Sequence, residues 1–485
     1  MTSSVDISTG TGAEGPSKRQ HYNLTFAALA LSAATFAVLQ SLVAPALPEI
    51  QRDLHASATG ATWVLTAYLL SASVLTPIIG RLGDMFGKER TLICSLAALA
   101  AGTLLAALAT DINVLIAGRV IQGAGGAIFP LAFGIIRDEF PRERVATGIA
   151  MISAILGVGA GLGIVLAGPI VDSLSYHWLF WFPLFLVVVA TIATVFFVPE
   201  SPITSPGRVN WLGAALLSGW LVSLLVAISQ GSAWGWGDSR VLGLLVAAAL
   251  LLALWIRNET RAAEPLVDMR MMRIRGVWTV NTAGFLIGAG MFSSFVLIPQ
   301  FTEMPRAAGF GFHASVTQAG LYLLPSTMMM LLVSPLGGRM ANRVGSRMPL
   351  VLGCLATSLA FVLLAVAHAR PWEFYLSSAI LGVGIGLAFA ALANLIVEAV
   401  RPDQTGVATG MNTVMRSLGG SVGSQVGASI IAGTVVGHAL PTEHGFTIAF
   451  ALAATFCGLA TLASLAVPRP GAPARHPSTL VADRA

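Results

Sequence analysis

The chain has 485 residues, of which 55% are hydrophobic and 10% are charged, and its formal net charge is +5. Soluble globular domains carry roughly 25% charged residues, so this composition excludes an ordinary water-soluble fold. It favours a bundle of membrane-spanning helices whose outer side chains face lipid. We attribute the positive charge to loops that contact anionic lipid headgroups, and we expect no nucleic-acid partner.

The first 23 residues are polar and rich in Ser, Thr and Gly, which predicts a disordered cytoplasmic tail. An apolar run follows from Leu24 to Leu47. This run is longer than the apolar core of a cleaved signal peptide, which has about 7 to 15 residues. We therefore interpret it as the first membrane helix.

Apolar runs of about 20 residues recur along the chain and predict an all-α membrane protein with fourteen transmembrane helices. The runs lie near residues 24–46, 61–80, 91–110, 113–136, 145–168, 178–198, 210–229, 240–257, 277–299, 317–336, 349–368, 374–397, 406–432 and 446–467. The predicted domains are a tail over 1–23, a six-helix bundle over 24–200, two inserted helices over 201–260, an amphipathic cytoplasmic linker over 261–276, a second six-helix bundle over 277–467 and a disordered cytoplasmic tail over 468–485. Met and Arg alternate between Pro265 and Arg275, which suits an interfacial amphipathic helix in the linker.

The Lys and Arg residues test this topology, because cytoplasmic loops of membrane proteins hold an excess of them. With both termini in the cytoplasm, 21 of the 27 Lys and Arg residues fall on the cytoplasmic side and two fall within helices. The outer loops hold only Arg52, Arg240, Arg306 and Arg370. We therefore predict a multi-pass protein of the cell membrane with fourteen spans and both termini in the cytoplasm.

Two segments of the chain repeat each other. The basic segment from Pro77 to Lys88 resembles the segment from Pro335 to Ser346, 258 positions further on. The sequence Val-Ala-Thr-Gly opens one apolar run at Val145 and another at Val407. Such repetition predicts a duplicated helical unit, which is how many secondary transporters place a substrate site between two similar bundles.

Several motifs together resemble the major facilitator superfamily, and more narrowly its fourteen-helix drug:proton antiporter branch. They are Ala46-Leu47-Pro48, Trp63 with Tyr68, the turn from Gly80 to Arg90, and Arg119-Val-Ile-Gln122-Gly123-Ala-Gly125. The resemblance covers about residues 24–467. It implies a central cavity that opens alternately to each side and export driven by the proton gradient. The implied partners are a small-molecule substrate, protons and the lipid bilayer, and we expect a monomer without a cofactor or metal.

The resemblance also implies roles for two charged residues. It makes Asp84 a conformational switch, which pairs with basic or helix-end groups and latches the outward-facing state. The repeat carries Asn342 at the position of Asp84, so we expect an asymmetric latch. The resemblance ties Arg119 to proton transfer. A membrane Arg costs at least about 2.5 kcal/mol, so we expect Arg119 and Gln122 to form a polar, water-accessible patch, and a structural Arg that binds backbone carbonyls is the alternative.

The sequence places no Asp or Glu at mid-depth in the fourteen predicted helices. A carboxylate that carries protons would have to lie near a helix end, and the best candidates are Asp138 and Glu398. Drug-exporting relatives usually carry an Asp at the position of Leu39 and a Pro at the position of Ile164. These two departures leave a proton-independent facilitator or an importer as an alternative. A non-transporting membrane protein of the same fold is a further alternative.

Polar and aromatic residues within the helices are candidates for a substrate cavity. They are Gln40, Gln122, Asn281, Tyr322, Asn394, Asn412 and Arg416. An apolar cavity with few polar groups suits amphipathic or cationic organic compounds such as drugs and antibiotics. Phe285, Phe292, Phe295, Met291 and Met328 to Met330 would add adaptable surface. Arg416 requires a partner or an anionic ligand, because an unpaired charge in a membrane is costly.

Glycine ladders mark two helices, at 157, 159, 161 and 163 and at 419, 423 and 427. Small residues at this spacing predict close helix crossings, which we expect between the two bundles. Other chemistry has little support. The three Cys are single residues inside apolar runs, the eight His are scattered, and no phosphate-binding loop is present. We therefore expect no enzyme activity.

Overall fold

The computed structural model describes residues 22–201, 204, 207–305, 308–434 and 440–468. The predicted tails fall outside these ranges apart from their innermost residues. The described residues form helices and connecting segments, with no β-strand among them. The predicted all-α fold is therefore confirmed.

Fourteen long helices follow one another along the chain, and we number them α1 to α14. They are α1 (Tyr22–Leu42), α2 (Ala58–Phe86), α3 (Lys88–Ala107), α4 (Ile112–Glu139), α5 (Arg142–Ser173), α6 (Trp178–Phe197), α7 (Trp211–Trp234), α8 (Ser239–Arg261), α9 (Arg275–Thr302), α10 (Val316–Val344), α11 (Arg347–Val366), α12 (Pro371–Ala399), α13 (Thr405–Gly433) and α14 (Glu443–Leu465). Within α4, the residues Gly123–Ala127 form a 3-10 segment. A short helix, Leu47–Asp53, follows α1.

Thirteen of these helices are long and apolar enough to cross a membrane. The remaining helix, α13, has 29 residues but contains seven glycines together with Asn412, Arg416 and Gln425. A helix that packs against other helices does not need an apolar surface all round. The composition of α13 therefore fits a helix that is largely enclosed by protein.

The basic turn predicted to begin at Gly80 begins later in the structure. Helix α2 continues through Gly80 and Gly83, and the chain reverses at Gly87, whose φ is 104°. The repeat behaves in the same way, because α10 continues to Val344 and Gly345 has a φ of 86°. The apolar run ends where charges begin, but charged residues are good helix formers, so the helix extends beyond the run.

Gly80 serves a close approach between helices rather than a reversal. A Cβ at Gly80 would lie 2.6 Å from the carbonyl oxygen of Gly406 in α13. Only a glycine allows backbones to come this close. Gly410, one turn further along α13, faces the backbone of Pro77 in α2. The two glycine contacts bring α2 and α13 together along the start of α13.

The predicted amphipathic linker helix is shorter than expected. Only Met269–Met272 is helical, and α9 already begins at Arg275. The side chain of Asp268 accepts a hydrogen bond from the backbone N–H of Arg270 at 2.8 Å and so begins this single turn. The helical part of the predicted amphipathic linker is therefore limited to this single turn.

Buried apolar side chains form two clusters. One cluster contains residues between 28 and 198 together with Ala393 and Val397. The other contains residues between 214 and 467 together with Leu70 and Ile78. Each cluster thus draws mainly on one side of position 200. The domain boundaries given above remain a prediction.

The inserted helices α7 and α8 pack against each other and against the second cluster. The rings of Trp220 in α7 and Trp255 in α8 lie 6.0 Å apart, centroid to centroid. Glu259 in α8 is 2% exposed and accepts hydrogen bonds from Asn210 at 3.1 Å and from the backbone of Val267 at 2.9 Å. These bonds fix the start of α7 and the chain after α8 to the same carboxylate.

The glycine ladders have different partners. In α5, Gly157 and Gly161 face Met330 and Thr327 of α10. In α13, Gly419 and Gly423 face the backbone of Phe285 and Ala289 in α9, and Gly427 faces Leu297 of the same helix. The expected crossing between bundles therefore occurs at α5. The ladder of α13 instead packs within the second half of the chain, so that part of the expectation is wrong.

Candidate functional site

One end of the helix bundle holds the turn at Gly87, the start of α5, the turn at Gly345 and the start of α13. Hydrogen bonds join these segments, as described below, and we call this end the basic end. One of its fully enclosed charged groups is Asp84 in α2, which is 0% exposed. The two carboxylate oxygens of Asp84 accept hydrogen bonds from the backbone N–H groups of Gly406 and Val407, each at 3.0 Å.

Gly406 and Val407 are the second and third residues of α13. The first N–H groups of a helix have no partner within it, and the helix dipole favours a negative charge there. Asp84 therefore binds a helix end, as the resemblance implied. Two basic residues near Asp84 in sequence form ion pairs with other carboxylates. Lys88 pairs with Asp138 at 2.7 Å and Arg90 pairs with Glu200 at 3.3 Å.

A second charged group at the basic end has the opposite sign. Arg137, in the last turn of α4, donates to Thr405 Oγ1 at 2.6 Å, to the carbonyl of Val400 at 2.9 Å and to the carbonyl of Arg401 at 3.4 Å. Val400 directly follows α12. Cations are favourable at helix C-termini. An anion thus caps the start of α13 while a cation binds the carbonyls just after α12. Sequence reasoning missed this role of Arg137.

The repeat forms a neutral counterpart of the Asp84 contact. Asn342 in α10 donates from Nδ2 to the carbonyl of Glu143, in the first turn of α5, at 2.7 Å. A Cβ at Gly338 would lie 2.6 Å from the Cα of Thr147. Asn394 in α12 adds a hydrogen bond to the carbonyl of Ala146 at 3.1 Å. The α5–α10 contact therefore copies the α2–α13 contact in position but uses amide groups in place of a carboxylate.

The two candidate proton carriers occupy equivalent positions in the repeat. Asp138 forms a buried ion pair with Lys88, in which the side chains are 1% and 0% exposed. At the equivalent positions, Glu398 accepts a hydrogen bond from the hydroxyl of Ser346 at 2.6 Å. Glu398 is an exposed residue. One carboxylate is thus neutralised by a lysine and the other lies at the surface of the bundle.

Arg119 lies in the interior of the first half of the chain and is 0% exposed. Its Nε donates to the carbonyl of Val64 at 3.1 Å, and its Nη1 donates to the carbonyl of Leu39 at 3.3 Å and to Oε1 of Gln122 at 2.8 Å. The guanidinium carbon lies 4.0 Å from the centroid of the Tyr68 ring. The expectation of a water-accessible patch is wrong for this conformation, because Gln122 is also 0% exposed.

The contacts of Arg119 match the structural alternative. The residue ties α4 to α1 through Leu39 and to α2 through Val64. Leu39 stands where the resemblance implied an Asp, and its backbone carbonyl supplies an acceptor at that place. Around Arg119, its own Nη2 and the hydroxyl of Tyr68 are buried and have no hydrogen-bond partner among the described residues. A proton-related role of Arg119 remains a prediction.

Three of the predicted cavity residues lie near one another. Asn412 in α13 donates from Nδ2 to Oδ1 of Asn281 in α9 at 2.9 Å. Arg416 is one turn further along α13, is half-buried, and lies over the ring of Phe389 in α12 with 4.5 Å between the guanidinium carbon and the ring centroid. Helices α9, α12 and α13 therefore meet around these polar groups.

The other predicted cavity residues lie apart from this group. Gln122 binds Arg119 and, through Nε2, Thr103 at 3.0 Å. Asn394 belongs to the contact between α12 and α5. Tyr322 lies in an aromatic cluster, 4.7 Å from Tyr375 and 5.6 Å from Phe312, centroid to centroid. Gln40 is half-buried on α1. Nothing in their contacts brings these four residues into one cavity in this conformation.

A small cavity lies halfway along the helices that meet between the two halves of the chain. Its volume is about 20 Å³, and its lining residues come from α5, α9, α10 and α12. They are Gly157, Met291, Ser294, Phe295, Ser326, Thr327, Met330, Leu381, Gly382 and Ile385. A space of this size holds about one water molecule. Met291, Phe295 and Met330 were among the residues predicted to form an adaptable surface, whereas Met328 is 56% exposed.

A metal centre finds no support in the described residues, which contain no group of three or more His, Cys, Asp or Glu side chains that could hold an ion. The three cysteines are free.

A polytopic helical bundle with repeated helix-end contacts and a cavity between its halves defines the class of secondary transporters. The family model of the Major Facilitator Superfamily matches residues 29–424. The chain therefore belongs to the major facilitator superfamily, and it is a multi-pass protein of the cell membrane. Fourteen helices are consistent with the fourteen-helix branch of that family.

Curated relatives cover most of the chain. The multidrug transporter protein MdtP of Bacillus subtilis (strain 168) is 29% identical over 373 residues, which cover 76% of this chain and 68% of that protein. The tetracenomycin C resistance and export protein of Streptomyces glaucescens is 30% identical over 393 residues, which cover 79% of this chain and 71% of that protein. Multidrug resistance protein 3 of Bacillus subtilis (strain 168) is 29% identical and covers 76% of this chain and 71% of that protein.

A solved structure has the same fold. The human organic anion transporter MFSD10 (TETRAN) aligns with a TM-score of 0.62 and 17% sequence identity, and covers 93% of this chain and 100% of that chain. At this identity the likeness concerns the fold alone.

Proposed function

We propose that the protein exports small amphipathic organic compounds, such as drugs or antibiotics, by alternating access coupled to proton influx. The observation that carries the proposal is the Asp84 carboxylate, which is fully enclosed and binds the start of α13 through two backbone N–H groups. The names of the relatives, which include multidrug transporters and an antibiotic export protein, support the class of compound.

The Asp84 contact suits a switch because its strength depends on one proton. Hydrogen bonds to an ionised acceptor are roughly twice as strong as those between neutral groups. The helix dipole adds about 0.3 to 1 kcal/mol for a negative charge, and more in a buried site. Protonation of Asp84 removes both advantages. It therefore weakens the contact between α2 and α13 and favours separation at the basic end.

The direction of this effect fits an exporter. We place the basic end in the cytoplasm, as the distribution of Lys and Arg predicts. A proton that reaches Asp84 from outside then favours the state that is open to the cytoplasm. Loss of the proton to the cytoplasm and binding of the compound precede the return to the closed basic end. Proton influx thereby drives export.

The contacts favour Asp84 over the other carboxylates as the coupling group. Asp138 is held in a buried ion pair with Lys88, so its protonation would leave a buried lysine unpaired, which is costly. Glu398 is exposed and accepts a hydrogen bond from the neutral hydroxyl of Ser346. Asp84 alone of the three joins the two halves of the chain.

The test measures export of a fluorescent amphipathic dye from cells that express the protein, with and without a protonophore. We expect export in the wild type, loss of export with the protonophore, and loss of export in Asp84→Asn at unchanged membrane abundance. The matched control is Asp403→Asn at the same end, because Asp403 pairs with Arg401, whose side chain is 71% exposed. That variant should export normally.

A second measurement reports the conformation directly. Thr409 is 2% exposed in the closed contact. In a background without the three native cysteines, Thr409→Cys should react slowly with a maleimide supplied from the cytoplasmic side. Addition of Asp84→Asn should speed the reaction. Normal export by Asp84→Asn would refute the switch, dye equilibration that ignores the protonophore would indicate a facilitator, and no movement of any compound would indicate a non-transporting protein.

A further inference from the structure

The interior of the second half of the chain contains a guanidinium that no side chain neutralises. Arg416 lies eleven residues after Thr405, the first residue of α13. At a rise of about 1.5 Å per residue this is about 16 Å from the basic end, close to the middle of a hydrocarbon core about 30 Å thick. Among the described residues, Arg416 has no hydrogen bond or ion pair, and its guanidinium lies over the face of the Phe389 ring.

The surroundings of Arg416 provide no negative charge. Helices α9, α10 and α13 contain neither Asp nor Glu. In α12 the acidic residues are Glu373 and Glu398, near its two ends. A ring face attracts a cation but accepts none of the guanidinium's N–H groups in a normal hydrogen bond. A permanently charged side chain at this depth is therefore left with unused donors.

A second unused donor lies one helical turn away. Asn412 uses its Nδ2 to bind Oδ1 of Asn281, and the Nδ2 of Asn281 is buried without an acceptor among the described residues. Asn281 is 5% exposed. Buried polar groups are normally hydrogen-bonded, so an unpartnered donor of this kind is uncommon. Both polar layers at the meeting point of α9, α12 and α13 thus contain a donor that has no acceptor among the described residues.

The position of Arg416 relative to the small cavity is defined by its neighbours. In α12, Phe389 is four residues nearer the basic end than Ile385, which lines the cavity. In α9, Gly288 packs against the backbone of Arg416 and is three residues nearer the basic end than the cavity residue Met291. Measured along either α9 or α12, Arg416 therefore lies about one helical turn closer to the basic end than the cavity does.

We propose that Arg416 binds an acidic group of the transported compound, so that the protein carries aromatic amphipathic organic anions rather than cations. This inference rests on the proposed export function and names the class of its substrate. The carboxylate or phenolate of the compound accepts hydrogen bonds from the guanidinium. The apolar part of the compound occupies the cavity. Met291, Phe295 and Met330 line this cavity, and movement of the flexible Met side chains enlarges it.

The same charges disfavour a cationic substrate. A cation in the cavity would meet no carboxylate on α9, α10 or α13 and would be repelled by Arg416. The sequence alone suggested amphipathic or cationic compounds, although the position of Arg416 within a helix already required a partner or an anionic ligand. Arg416 has no acidic partner among the described residues, and this favours the anionic class.

The experiment compares two dyes with the same xanthene skeleton and opposite charge, fluorescein as the anion and rhodamine 6G as the cation. Binding to the purified full-length protein is measured by fluorescence anisotropy, and export is measured in proteoliposomes with a proton gradient. We expect fluorescein to bind more tightly than rhodamine 6G. Arg416→Gln should weaken fluorescein binding by about 10-fold or more, since a charge-assisted hydrogen bond is lost, and should leave rhodamine 6G binding unchanged or stronger.

The matched control is Arg240→Gln. Arg240 also lies over an aromatic ring, 5.6 Å from the centroid of Trp234, but it stands near the start of α8 and far from the cavity in sequence. This variant should bind both dyes as the wild type does. Arg416→Lys keeps the charge without the planar donor group and should retain part of the fluorescein affinity.

The outcomes separate this inference from the proposed function. Equal losses for both dyes in Arg416→Gln would show a purely structural role and overturn the anion site. If rhodamine 6G is exported while fluorescein is neither bound nor exported, the anion site is overturned and the export function stands. Arg416-dependent binding of fluorescein without gradient-driven movement of either dye would support the anion site and refute the export function.

Discussion

The ammonium group of Lys88 lies 2.7 Å from a carboxylate oxygen of Asp138, and neither side chain is more than 1% exposed. The hydroxyl of Ser201 donates to the same oxygen. This buried ion pair joins the start of α3 to the last turn of α4. Its counterpart in the repeat, Ser346 with Glu398, contains no cation. The stability of the first half therefore depends on a charge that the second half does not have.

Replacement of Lys88 by Ala should strongly destabilise the protein, because it leaves the Asp138 carboxylate buried without its cation. Removal of one partner of a buried ion pair costs about 3 to 5 kcal/mol. The measurement is the thermal unfolding midpoint in detergent. Ser346→Ala removes only the hydrogen bond from a neutral hydroxyl to an exposed carboxylate and should cost about 1 kcal/mol. Similar midpoints for the two variants would contradict this account of the pair.

Gly80→Ala should disrupt the contact between α2 and α13. The new Cβ would lie 2.6 Å from the carbonyl oxygen of Gly406, so the helices must separate. We expect a loss of about 1 to 3 kcal/mol, as for other overpacked sites. The control is Gly243→Ala in α8, where nothing lies within 4 Å of the added Cβ. This variant should gain up to about 1 kcal/mol from helix propensity. Thermal unfolding in detergent would show shifts of opposite sign.

Arg119→Lys should abolish most of the transport activity although it keeps the positive charge. A lysine cannot reach the carbonyls of Leu39 and Val64 and the amide of Gln122 together, because it lacks the planar fork of the guanidinium. Each lost charge-assisted hydrogen bond costs about 1.5 to 3 kcal/mol. Dye export at matched membrane abundance provides the measurement.

Tyr68→Phe is the matched control for that experiment. The ring that covers Arg119 is retained, and the hydroxyl that is lost has no partner among the described residues. We expect export close to that of the wild type. Loss of export in Tyr68→Phe with normal membrane abundance would show that the hydroxyl has a function that the resting contacts do not reveal.

Asn342→Asp should weaken the contact between α10 and α5. The amide of Asn342 donates to the carbonyl of Glu143 at 2.7 Å, and an aspartate placed there would direct a negative charge at a carbonyl oxygen. The residue is exposed, so the expected loss is about 1 kcal/mol. Asn342→Ala separates loss of the bond from repulsion. If Asp and Ala have the same effect on the unfolding midpoint, repulsion plays no part.

The helices were predictable because each requires about 20 apolar residues in a row. Their ends were less predictable. Helix α2 extends to Phe86 and α10 to Val344, beyond the points where the hydropathy falls, because charged residues and single glycines do not stop a helix. The reversal falls at Gly87 and Gly345, where a positive φ is required.

The candidate site was only partly predictable, for a physical reason. Asp84 binds backbone N–H groups of Gly406 and Val407. Nearly every residue type has such an N–H group, so the sequence does not indicate which residues would bind Asp84. The one available signal was the repeated Val-Ala-Thr-Gly segment, which begins at Val407 in one copy. Tyr322 carries a polar group like the other cavity candidates, but its ring joins an aromatic cluster that only the three-dimensional packing reveals.

Arg119 and Arg416 both place a positive charge within the membrane, and this affects how transport is driven. Among the described residues, neither guanidinium is paired with a carboxylate, so each retains its full charge within the span of the membrane. Moving one elementary charge through a membrane voltage of 100 mV changes the free energy by about 2.3 kcal/mol. A rocking motion that shifts either arginine along the membrane normal would therefore draw work from the electrical potential as well as from the pH difference.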